Sequence, residues 1–330
     1  MSVERGAMRA FVCAAITDDL SGTGLQDVPI PTPGPRQVLV RVQAAGVNFP
    51  DVLMCQGKYQ FKPEPPFIPG MEVAGAVVET GPSVEAFQVG DLVVGGAGLG
   101  GFAEYCLAPV SGLRRLPEGV DPAAAASFQA AYLTAYVALV RRARIEPGET
   151  LLVHGAAGGV GLAAVDLGLA LGARVIATAS TPEKRAFLTA YGAHAVLEPQ
   201  GFREPVKALT DGRGADVIYD PVGGDVFDES VRAIAFDGRL LVIGFTSGRI
   251  ATISSNMPLI KGFSVIGVRA GEYGRQFPER GRENLEAIWS MLGAQRLRPH
   301  VHATMSLAQA REALALLQDR KVIGKAVIAP

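Results

Sequence analysis

The pattern of hydrophobic and polar positions changes near residue 120 and divides the chain into two kinds of structure. Before that point, from about Met8 to Leu116, short apolar runs alternate with polar positions and end at glycine or proline. The clearest runs are Gln37-Val-Leu-Val-Arg-Val-Gln, Gly75-Ala-Val-Val-Glu-Thr-Gly and Gly90-Asp-Leu-Val-Val-Gly. A period of two is typical of half-buried strands. This half is therefore predicted to be an irregular β domain.

Beyond that point, apolar strands alternate with helices. Asp121-Pro122 predicts a helix start, because Asp is a common N-cap and proline suits the first helical position. The predicted strands are Thr150–His154, Arg174–Ala179, Ala195–Glu198, Asp216–Tyr219, Arg239–Ile243 and Phe263–Val268. Helices are predicted to begin near Val160, Pro182, Phe202 and Val226. Repeated βα units predict an α/β fold with a parallel, doubly wound sheet.

Composition narrows the class of protein. The 330 residues, 48% of them hydrophobic, suffice for two domains with buried cores. Lys and Arg number 31 against 32 Asp and Glu, so the basic excess typical of nucleic-acid binders is missing. Cys13, Cys55 and Cys106 are scattered, which suits a reducing compartment. With no apolar signal core in the first six residues and no uninterrupted apolar span, we expect a cytoplasmic protein that binds neither nucleic acid nor membrane.

The strongest motif is Leu151-Leu-Val-His-Gly-Ala-Ala-Gly-Gly-Val-Gly161, between a predicted strand and a predicted helix. It follows the pattern G-x-G-x-x-G, with Ala156 in the first glycine position and Gly158 and Gly161 in the others. Such a turn lets the backbone and the positive end of a helix approach a pyrophosphate. The residues predicted to bind a dinucleotide there are Ala156, Ala157, Gly158, Gly159 and Val160. The alternative is a tight βα turn that binds nothing.

The end of the next strand favours NADPH over NADH. NAD-preferring sites place Asp or Glu about 20 residues after the motif, where it binds the ribose 2′-hydroxyl. Here Thr178 and Ser180 occupy that region, and Lys184 follows. Hydroxyls and an ammonium can bind the 2′-phosphate, which a carboxylate would repel. Thr178, Ser180 and Lys184 are therefore predicted to contact NADPH; the alternative for Lys184 and Arg185 is a solvated helix face.

Four separated segments resemble the medium-chain dehydrogenase/reductase superfamily, in particular its zinc-free quinone oxidoreductase branch, which includes zeta-crystallin. They are Ala44-Ala-Gly-Val-Asn-Phe-Pro-Asp51, Pro69-Gly-Met-Glu-Val-Ala-Gly75, His154-Gly-Ala-Ala-Gly-Gly-Val-Gly161 and Gly324-Lys325. The resemblance covers the chain from about Met8, which leaves residues 1–7 as an extension.

The resemblance implies a domain organisation. A GroES-like catalytic domain is expected over residues 1–122, with a C-terminal return over 269–330 that begins in an arginine-rich loop. A Rossmann dinucleotide-binding domain is expected over residues 123–268. Relatives of this kind are often homodimers joined through their cofactor domains, so a homodimer is expected.

The resemblance also bears on metal chemistry. Zinc-dependent relatives have Cys where this chain has Asn48 and His where it has Met71, so two of the three firm ligands of a catalytic zinc are replaced. Glu72 remains, but it cannot hold zinc alone. No metal is therefore expected. Without a metal to polarise an alcohol or carbonyl, reduction of an acceptor already activated by conjugation is favoured over alcohol dehydrogenation.

Two residues are candidates for catalysis. The position matching Asn48 lies near nicotinamide and substrate in relatives, where an amide can donate to an enolate oxygen or hold the nicotinamide ribose; the alternative is an ordinary turn residue. Tyr59 resembles a tyrosine of quinone and 2-enoyl thioester reductases. It either donates a proton or closes the cleft as an aromatic lid. Asp51 and Glu72 are expected to be architectural. Further positions that the resemblance assigns to the cofactor are Asn48, Thr134, Gly244, Phe245, Val268 and Lys325.

The leading hypothesis is thus an NADPH-dependent quinone oxidoreductase acting on a small conjugated carbonyl or quinone. An enone or 2-enoyl thioester (acyl-CoA) reductase is the nearest alternative. A non-catalytic cofactor-binding protein with a structural or RNA-binding role, as in related crystallins, is a third, which the neutral net charge disfavours. One departure concerns Glu198-Pro199, which stands where quinone reductases often carry a tyrosine beside the adenosine phosphate.

Overall fold

The structure is a computed structural model that describes residues 6–330. Residues 1–5, which make up most of the predicted extension and of the segment searched for a signal core, lie outside the described part. Two compact units are present. Unit 1 contains the chain up to Ala130 and again from Pro299 to Pro330, and unit 2 contains Ala131–Arg298.

The described residues form fifteen β-strands. In chain order they are β1 (Ala7–Cys13), β2 (Thr23–Pro29), β3 (Gln37–Gly46), β4 (Glu72–Thr80), β5 (Leu92–Gly96), β6 (Tyr105–Pro109), β7 (Leu113–Arg115), β8 (Thr150–Val153), β9 (Arg174–Thr178), β10 (Ala195–Leu197), β11 (Ala215–Asp220), β12 (Ile234–Val242), β13 (Ser264–Gly267), β14 (Val301–Ser306) and β15 (Lys325–Ala329).

Eleven α-helices lie in the same residues. They are α1 (Phe49–Cys55), α2 (Pro122–Ala126), α3 (Gln129–Tyr136), α4 (Gly159–Ala170), α5 (Pro182–Tyr191), α6 (Arg203–Ala208), α7 (Gly224–Ala233), α8 (Asn256–Lys261), α9 (Ala270–Gln276), α10 (Pro278–Gly293) and α11 (Ala310–Gln318). A π-helical stretch, Val137–Ala143, continues α3. Asp121 caps α2 as the sequence predicts, accepting the N–H of Ala124 at 2.9 Å.

Unit 1 is built on a largely antiparallel sheet with the strand order β14-β15-β3-β4-β5-β7; β6 also pairs with β3, and β1 and β2 form a separate hairpin. The last strand of the chain, β15, pairs with the end of β3, where Val327 lies opposite Gly46. This pairing brings Lys325, at the start of β15, next to Asn48, which follows β3. The C-terminal segment therefore completes the sheet of unit 1.

Unit 2 contains a six-stranded parallel sheet with the order β10-β9-β8-β11-β12-β13. Numbered within the unit, this is 3-2-1-4-5-6, the Rossmann order, so the predicted doubly wound sheet is confirmed. The chain runs from β8 through α4 to β9 on one side, and β11 lies on the other side of β8. The carboxyl end of β8 is therefore the switch point, where such sheets bind ligands.

The structure departs from the sequence prediction after Val268. The contacts divide the chain after residues 130 and 298, whereas the boundaries expected from the sequence follow residues 122 and 268. The predicted arginine-rich loop is wrong, because α9 and α10 occupy this stretch. Helix α10 buries Ile288 and Leu292, and its Asn284 accepts a 2.7 Å hydrogen bond from Arg141. These contacts hold the stretch in unit 2.

The other strands and helices predicted for unit 2 lie within two residues of their predicted bounds, with one exception. Strand β12 begins at Ile234 rather than Arg239. A bulge with Asp237 at φ 61° lies inside the strand, so Asp237-Gly238, a turn signal in the sequence, does not mark its start. Among the helices of residues 6–330, none has both the length and the hydrophobicity that a bilayer crossing requires.

Candidate active site

The glycine motif forms the turn between β8 and α4. Gly155 has a φ of 54°, a conformation that favours glycine, and its carbonyl accepts the N–H of Gly158 at 2.9 Å. A Cβ on Gly161 would lie 2.3 Å from the Gly155 oxygen, so packing requires glycine there. A Cβ on Gly158 would meet no protein atom closer than 3.4 Å. Packing therefore does not require glycine at Gly158, and the space above it is open to a ligand.

Helix α4 begins directly at this turn, with Gly158 as its N-cap and twelve residues in the helix. The first N–H bonded within the helix is that of Leu162, which donates to the Gly158 carbonyl at 2.7 Å. The N–H groups of Gly159, Val160 and Gly161 precede it and have no acceptor within the helix. Together with the positive end of the helix dipole, these donors suit a pyrophosphate.

Two of the predicted contacts have a different role. Ala156 is fully buried, and its N–H donates to the carbonyl of Thr178 at 3.1 Å. Thr178 is also fully buried, with its hydroxyl 3.1 Å from Nδ1 of His154. Neither side chain is accessible to a ligand in this structure, so the predicted direct contacts of Ala156 and Thr178 are corrected. Both residues stabilise the turn from its buried side.

The region expected to bind the 2′-phosphate begins at the exposed Ser180 and continues into α5. Thr181 caps this helix by accepting the N–H of Lys184 at 3.3 Å, which leaves Lys184 half-buried in its first turn. The Arg185 guanidinium donates to the carbonyls of Ala179 and Ser180 at 3.1 Å each. It also pairs with Glu198 at 3.1 Å, so Arg185 is held by protein groups.

Other predicted cofactor residues lie at the carboxyl edge of the parallel sheet. Gly244 and Phe245 follow β12, and Phe245 is 44% exposed. Val268 follows β13 and donates its N–H to the Val242 carbonyl at 3.0 Å. These residues are therefore at the same edge as the glycine turn. Thr134, half-buried in α3, lies on a helix rather than at this edge.

Asn48 belongs to a buried polar cluster in unit 1. Its Nδ2 donates to Oε2 of Glu72 at 2.8 Å, and its Oδ1 accepts from Nζ of Lys325 at 2.5 Å. The ammonium also lies 3.8 Å from Oε2 of Glu72. Because an ammonium only donates and a carboxylate only accepts, this arrangement fixes which way the amide faces. Oδ1 is thus the acceptor and Nδ2 the donor of this side chain.

Two carboxylates order the backbone around Asn48. Asp51 accepts the N–H of Asn48 at 2.8 Å and that of Gly70 at 3.0 Å, which fixes the start of α1. Glu72 Oε1 accepts the N–H of Ala130 at 2.7 Å, near the start of α3. The architectural roles expected for Asp51 and Glu72 agree with these contacts.

The cluster carries two carboxylates and one ammonium in a buried place. Burial raises the pKa of Asp51 to about 7, and its two backbone donors and Lys325 oppose that rise. Burial lowers the pKa of Lys325, which the nearby carboxylates of Glu72 and Asp51 counteract. Lys325 is 8% exposed. Its ammonium bonds within the cluster to Asn48 and Glu72, and contact of Lys325 with the cofactor stays a prediction.

Tyr59 lies just after α1, half-buried against the main hydrophobic core of unit 1, with Met71 packed on the same core. Met71 supplies a thioether at the position where zinc-dependent relatives have histidine. In residues 6–330, no group of three or more His, Cys, Asp or Glu side chains is arranged to hold a metal ion.

Sequence reasoning missed two residues that shape the carboxyl edge of the sheet. Asp220 ends β11, and its Oδ1 accepts the N–H groups of Val222 and Gly223 at 2.8 and 2.9 Å. The signal was Asp220-Pro-Val-Gly-Gly, a typical side-chain-capped turn. His154 is the second, and the motif pattern assigns no role to this position. Its buried partners lie far away in sequence and carry no local signal.

Comparisons with protein families match both halves of the chain. Residues 34–118 match the alcohol dehydrogenase GroES-like domain, and residues 159–289 match the zinc-binding dehydrogenase family. The first match covers about half of unit 1 and bears out the GroES-like domain expected there. The second covers the Rossmann sheet of unit 2 from the start of α4.

Two curated relatives are similar over most of their length. Quinone oxidoreductase-like protein 2 of Mus musculus is 39% identical over 323 residues, covering 97% of this chain and 91% of that protein. The quinone oxidoreductase of Homo sapiens is 35% identical over 245 residues, covering 73% of this chain and 74% of that protein. Both similarities extend across the two units.

Solved structures agree. A probable oxidoreductase from Mycobacterium abscessus has a TM-score of 0.90 and 37% identity, covering 98% of this chain and 99% of its own. A mycobacterial protein complexed with NADPH has a TM-score of 0.89 and 32% identity, covering 98% and 100%. The CurK enoyl reductase has a TM-score of 0.86 and 26% identity, covering 97% and 99%. The chain therefore belongs to the quinone oxidoreductase branch of the medium-chain dehydrogenase/reductase superfamily.

Proposed function

We propose that this protein is an NADPH-dependent reductase that transfers hydride to a quinone or similar conjugated carbonyl without a metal ion. The observation that carries the proposal is the turn at Gly158, which opens onto the first N–H groups of α4 at the switch point of a parallel sheet. The related mycobacterial structure that contains NADPH supports the same cofactor here.

The pyrophosphate is proposed to bind at Ala157, Gly158, Gly159 and Val160. Gly158 leaves room for close approach, because no protein atom lies within 3.4 Å of the place where its Cβ would be. The N–H groups at the start of α4 supply donors and the helix dipole supplies positive potential. Gly244, Phe245 and Val268 are proposed to border the nicotinamide, at the same edge of the sheet.

Preference for NADPH is proposed to depend on Ser180 and Lys184. Ser180 offers an exposed hydroxyl, and Lys184 supplies positive charge in the first turn of α5, where the helix dipole also favours a phosphate. Two carboxylates lie nearby: Glu183 in the first turn of α5, and Glu198, which is paired with Arg185 at 3.1 Å. That pairing reduces its repulsion of a 2′-phosphate.

Asn48 is proposed to accept a hydrogen bond from the nicotinamide ribose. Of the two roles open to its amide, donation to an enolate oxygen is disfavoured, because the two N–H groups of Nδ2 face Glu72 at 2.8 Å and the Gly46 carbonyl at 3.4 Å. Lys325 also argues against a metal at this place. Its ammonium lies 2.5 Å from the Asn48 oxygen, so its positive charge would repel a metal ion there. Asn48 and Met71 also stand where zinc-dependent relatives have Cys and His ligands. Thr134 is proposed to contact the same ribose.

Bound NADPH would supply the chemistry of hydride transfer to the acceptor. The chain's part is to orient the acceptor and to stabilise the negative charge that develops on its oxygen. Tyr59 is the proposed donor, because a phenol carries an O–H that can donate a hydrogen bond or a proton to the acceptor. Its half-buried position against the core of unit 1 restricts its motion.

A second candidate is reduction of an enone or a 2-enoyl thioester. It uses the same hydride chemistry, with Tyr59 as proton donor to carbon. The similarity to the CurK enoyl reductase supports this candidate. A quinone needs no proton on carbon, so the two candidates differ in how strongly they depend on Tyr59.

A panel of acceptors separates these candidates. Oxidation of NADPH is followed with 9,10-phenanthrenequinone, a small enone and a 2-enoyl-CoA, using wild-type protein, Tyr59→Phe and the control Tyr105→Phe. We expect quinone turnover to be the fastest, and Tyr59→Phe to slow it less than it slows enone turnover, which also needs a proton on carbon. Turnover confined to the enoyl-CoA, with a large loss in Tyr59→Phe, would support the second candidate. No turnover with any acceptor would contradict both.

A further inference from the structure

His154 lies at the centre of a buried hydrogen-bond network in unit 2. Its Nδ1 is 3.1 Å from the hydroxyl of Thr178 and its Nε2 is 2.9 Å from the hydroxyl of Ser230. All three residues are fully buried. The Phe202 ring packs on the imidazole with a centroid distance of 4.6 Å. We call His154, Thr178 and Ser230 the His154 network.

The partners of the network determine where its protons are. The Ser230 hydroxyl donates to the Val226 carbonyl at 2.7 Å, so toward His154 it can only accept, and Nε2 must carry the ring proton. Nδ1 then has a lone pair and accepts from the Thr178 hydroxyl. Every proton therefore points the same way along the network, from Thr178 through His154 and Ser230 to Val226.

This order needs a neutral imidazole. A protonated ring would present an N–H at Nδ1 against the Thr178 hydroxyl, with no carboxylate among these partners to stabilise the charge. Burial lowers the pKa of His154 to about 3, in agreement with a ring that stays neutral at physiological pH. The network is therefore a fixed element of structure under those conditions.

The network joins three pieces of the fold around the glycine turn. His154 is the residue between β8 and Gly155, Thr178 ends β9, and Ser230 belongs to α7. Thr178 contributes twice, because its carbonyl also accepts the N–H of Ala156 at 3.1 Å. One threonine thus holds both the residue before Gly155 and the residue after it.

We propose that His154, held by Thr178 and Ser230, is a positioning residue that fixes the glycine turn for dinucleotide binding. The inference rests on the proposed function, since it assigns the network to the same pyrophosphate site. Loss of the Thr178 hydroxyl would leave Nδ1 of His154 buried without its donor. The turn would then be free to shift, and its N–H groups would no longer meet the pyrophosphate at fixed positions.

The test compares Thr178→Val, which keeps the shape but removes the hydroxyl, with Thr178→Ser, which keeps the hydroxyl. Ile176→Ala, a core cavity in the same strand, controls for loss of stability. Dissociation constants for NADPH and NADH are measured by calorimetry, with thermal unfolding alongside. We expect Thr178→Val to weaken both nucleotides about tenfold and equally, because both carry the pyrophosphate, and Thr178→Ser and Ile176→Ala to stay within threefold of wild type.

Hydrogen exchange of the turn amides, measured without nucleotide, makes the test independent of the proposed function. Faster exchange at residues 155–158 in Thr178→Val, but not in Ile176→Ala, is the expected result. Unchanged affinity and exchange in Thr178→Val would overturn the inference, as would an equal loss of affinity in Ile176→Ala. Wild-type protein that binds neither nucleotide would instead refute the proposed function, and with it the assignment of the network to a nucleotide site.

Discussion

Two adjacent basic residues, Lys184 and Arg185, have different roles in the proposed phosphate site. Arg185 donates to the carbonyls of Ala179 and Ser180 and pairs with Glu198. It therefore orders the loop after β9 and neutralises a carboxylate. Lys184 precedes it in the first turn of α5 and is the residue proposed to recognise a 2′-phosphate.

Replacing Lys184 with Glu should therefore change the choice of nucleotide. Charge reversal beside a phosphate removes an attraction and adds a repulsion, so we expect the KM for NADPH to rise at least tenfold and that for NADH to change less than threefold. Steady-state kinetics with both nucleotides checks this, and Lys207→Glu, the same charge change on α6, is the control. Equal changes for the two nucleotides would refute phosphate recognition by Lys184.

At the residue scale, the sequence shows which functional groups are present, but it does not show how deeply each side chain is buried or which distant residue it contacts. Thr178 and Ser180 are only two residues apart, yet Thr178 at the end of β9 is fully buried and Ser180 beyond it is exposed. The link between Asn48 and Lys325 spans 277 positions. It depends on the pairing of β15 with β3, which no local pattern encodes.

At the scale of elements, helix α4 is held by one buried carboxylate as well as by its glycine turn. Asp166 Oδ2 accepts the Tyr132 hydroxyl at 2.7 Å and the Arg298 N–H at 2.6 Å. The Arg298 guanidinium lies over the Tyr191 ring at 4.7 Å. Asp166 therefore connects α4 to α3, to the end of α5 and to the last residue of unit 2.

Removing this carboxylate should destabilise unit 2. Asp166→Ala removes the carboxylate that accepts from the Tyr132 hydroxyl and the Arg298 N–H, and we expect a loss of about 3 kcal/mol of unfolding free energy. Asp166→Asn keeps an acceptor oxygen and should lose less than half as much, and Tyr132→Phe about 1 kcal/mol. Chemical denaturation measures all three. A loss below about 0.5 kcal/mol in Asp166→Ala would show that these bonds contribute little.

Elements with a strong local period could be predicted, and those fixed by packing could not. The βα units of unit 2 follow from apolar strands between helices, and their bounds agree within two residues except at β12. The arginine-rich stretch after Val268 carries many charges, which suggested a loop, but the spacing of Ile288 and Leu292 places both on the buried side of α10. That helix is stabilised by contacts with unit 2, including the bond from Arg141 to Asn284.

At the scale of the whole molecule, unit 2 presents an apolar patch beside the edge strand of its sheet. Strand β13 is the edge strand of the sheet. Three large apolar side chains near it in the chain are strongly exposed: Phe236 on β12 is 84% exposed, and Leu259 and Ile260 on α8 are 81% and 71% exposed. Exposed apolar surface beside an unpaired strand edge is typical of a protein interface. We propose that a second copy of the chain covers it to form a homodimer.

Ile260→Glu should disrupt such a dimer, because the interface would bury an unpaired charge. Sedimentation velocity should show a dimer for wild type and a monomer for Ile260→Glu. Leu25→Glu, the same kind of change at an exposed position of β2, should remain dimeric. A monomeric wild type, or a variant that remains dimeric, would contradict this interface.

The central claim is that the open turn at Gly158 holds NADPH, and one substitution tests it most directly. Gly158 has φ −80° and ψ 171°, which valine adopts readily, and the nearest protein atom to a Cβ there is 3.4 Å away. Gly158→Val should therefore fold with an unchanged unfolding midpoint while its side chain fills the space proposed for the pyrophosphate. In calorimetric titrations, wild type should bind one NADPH per chain and Gly158→Val should show no measurable binding; NADPH bound equally well by the two proteins would contradict the account.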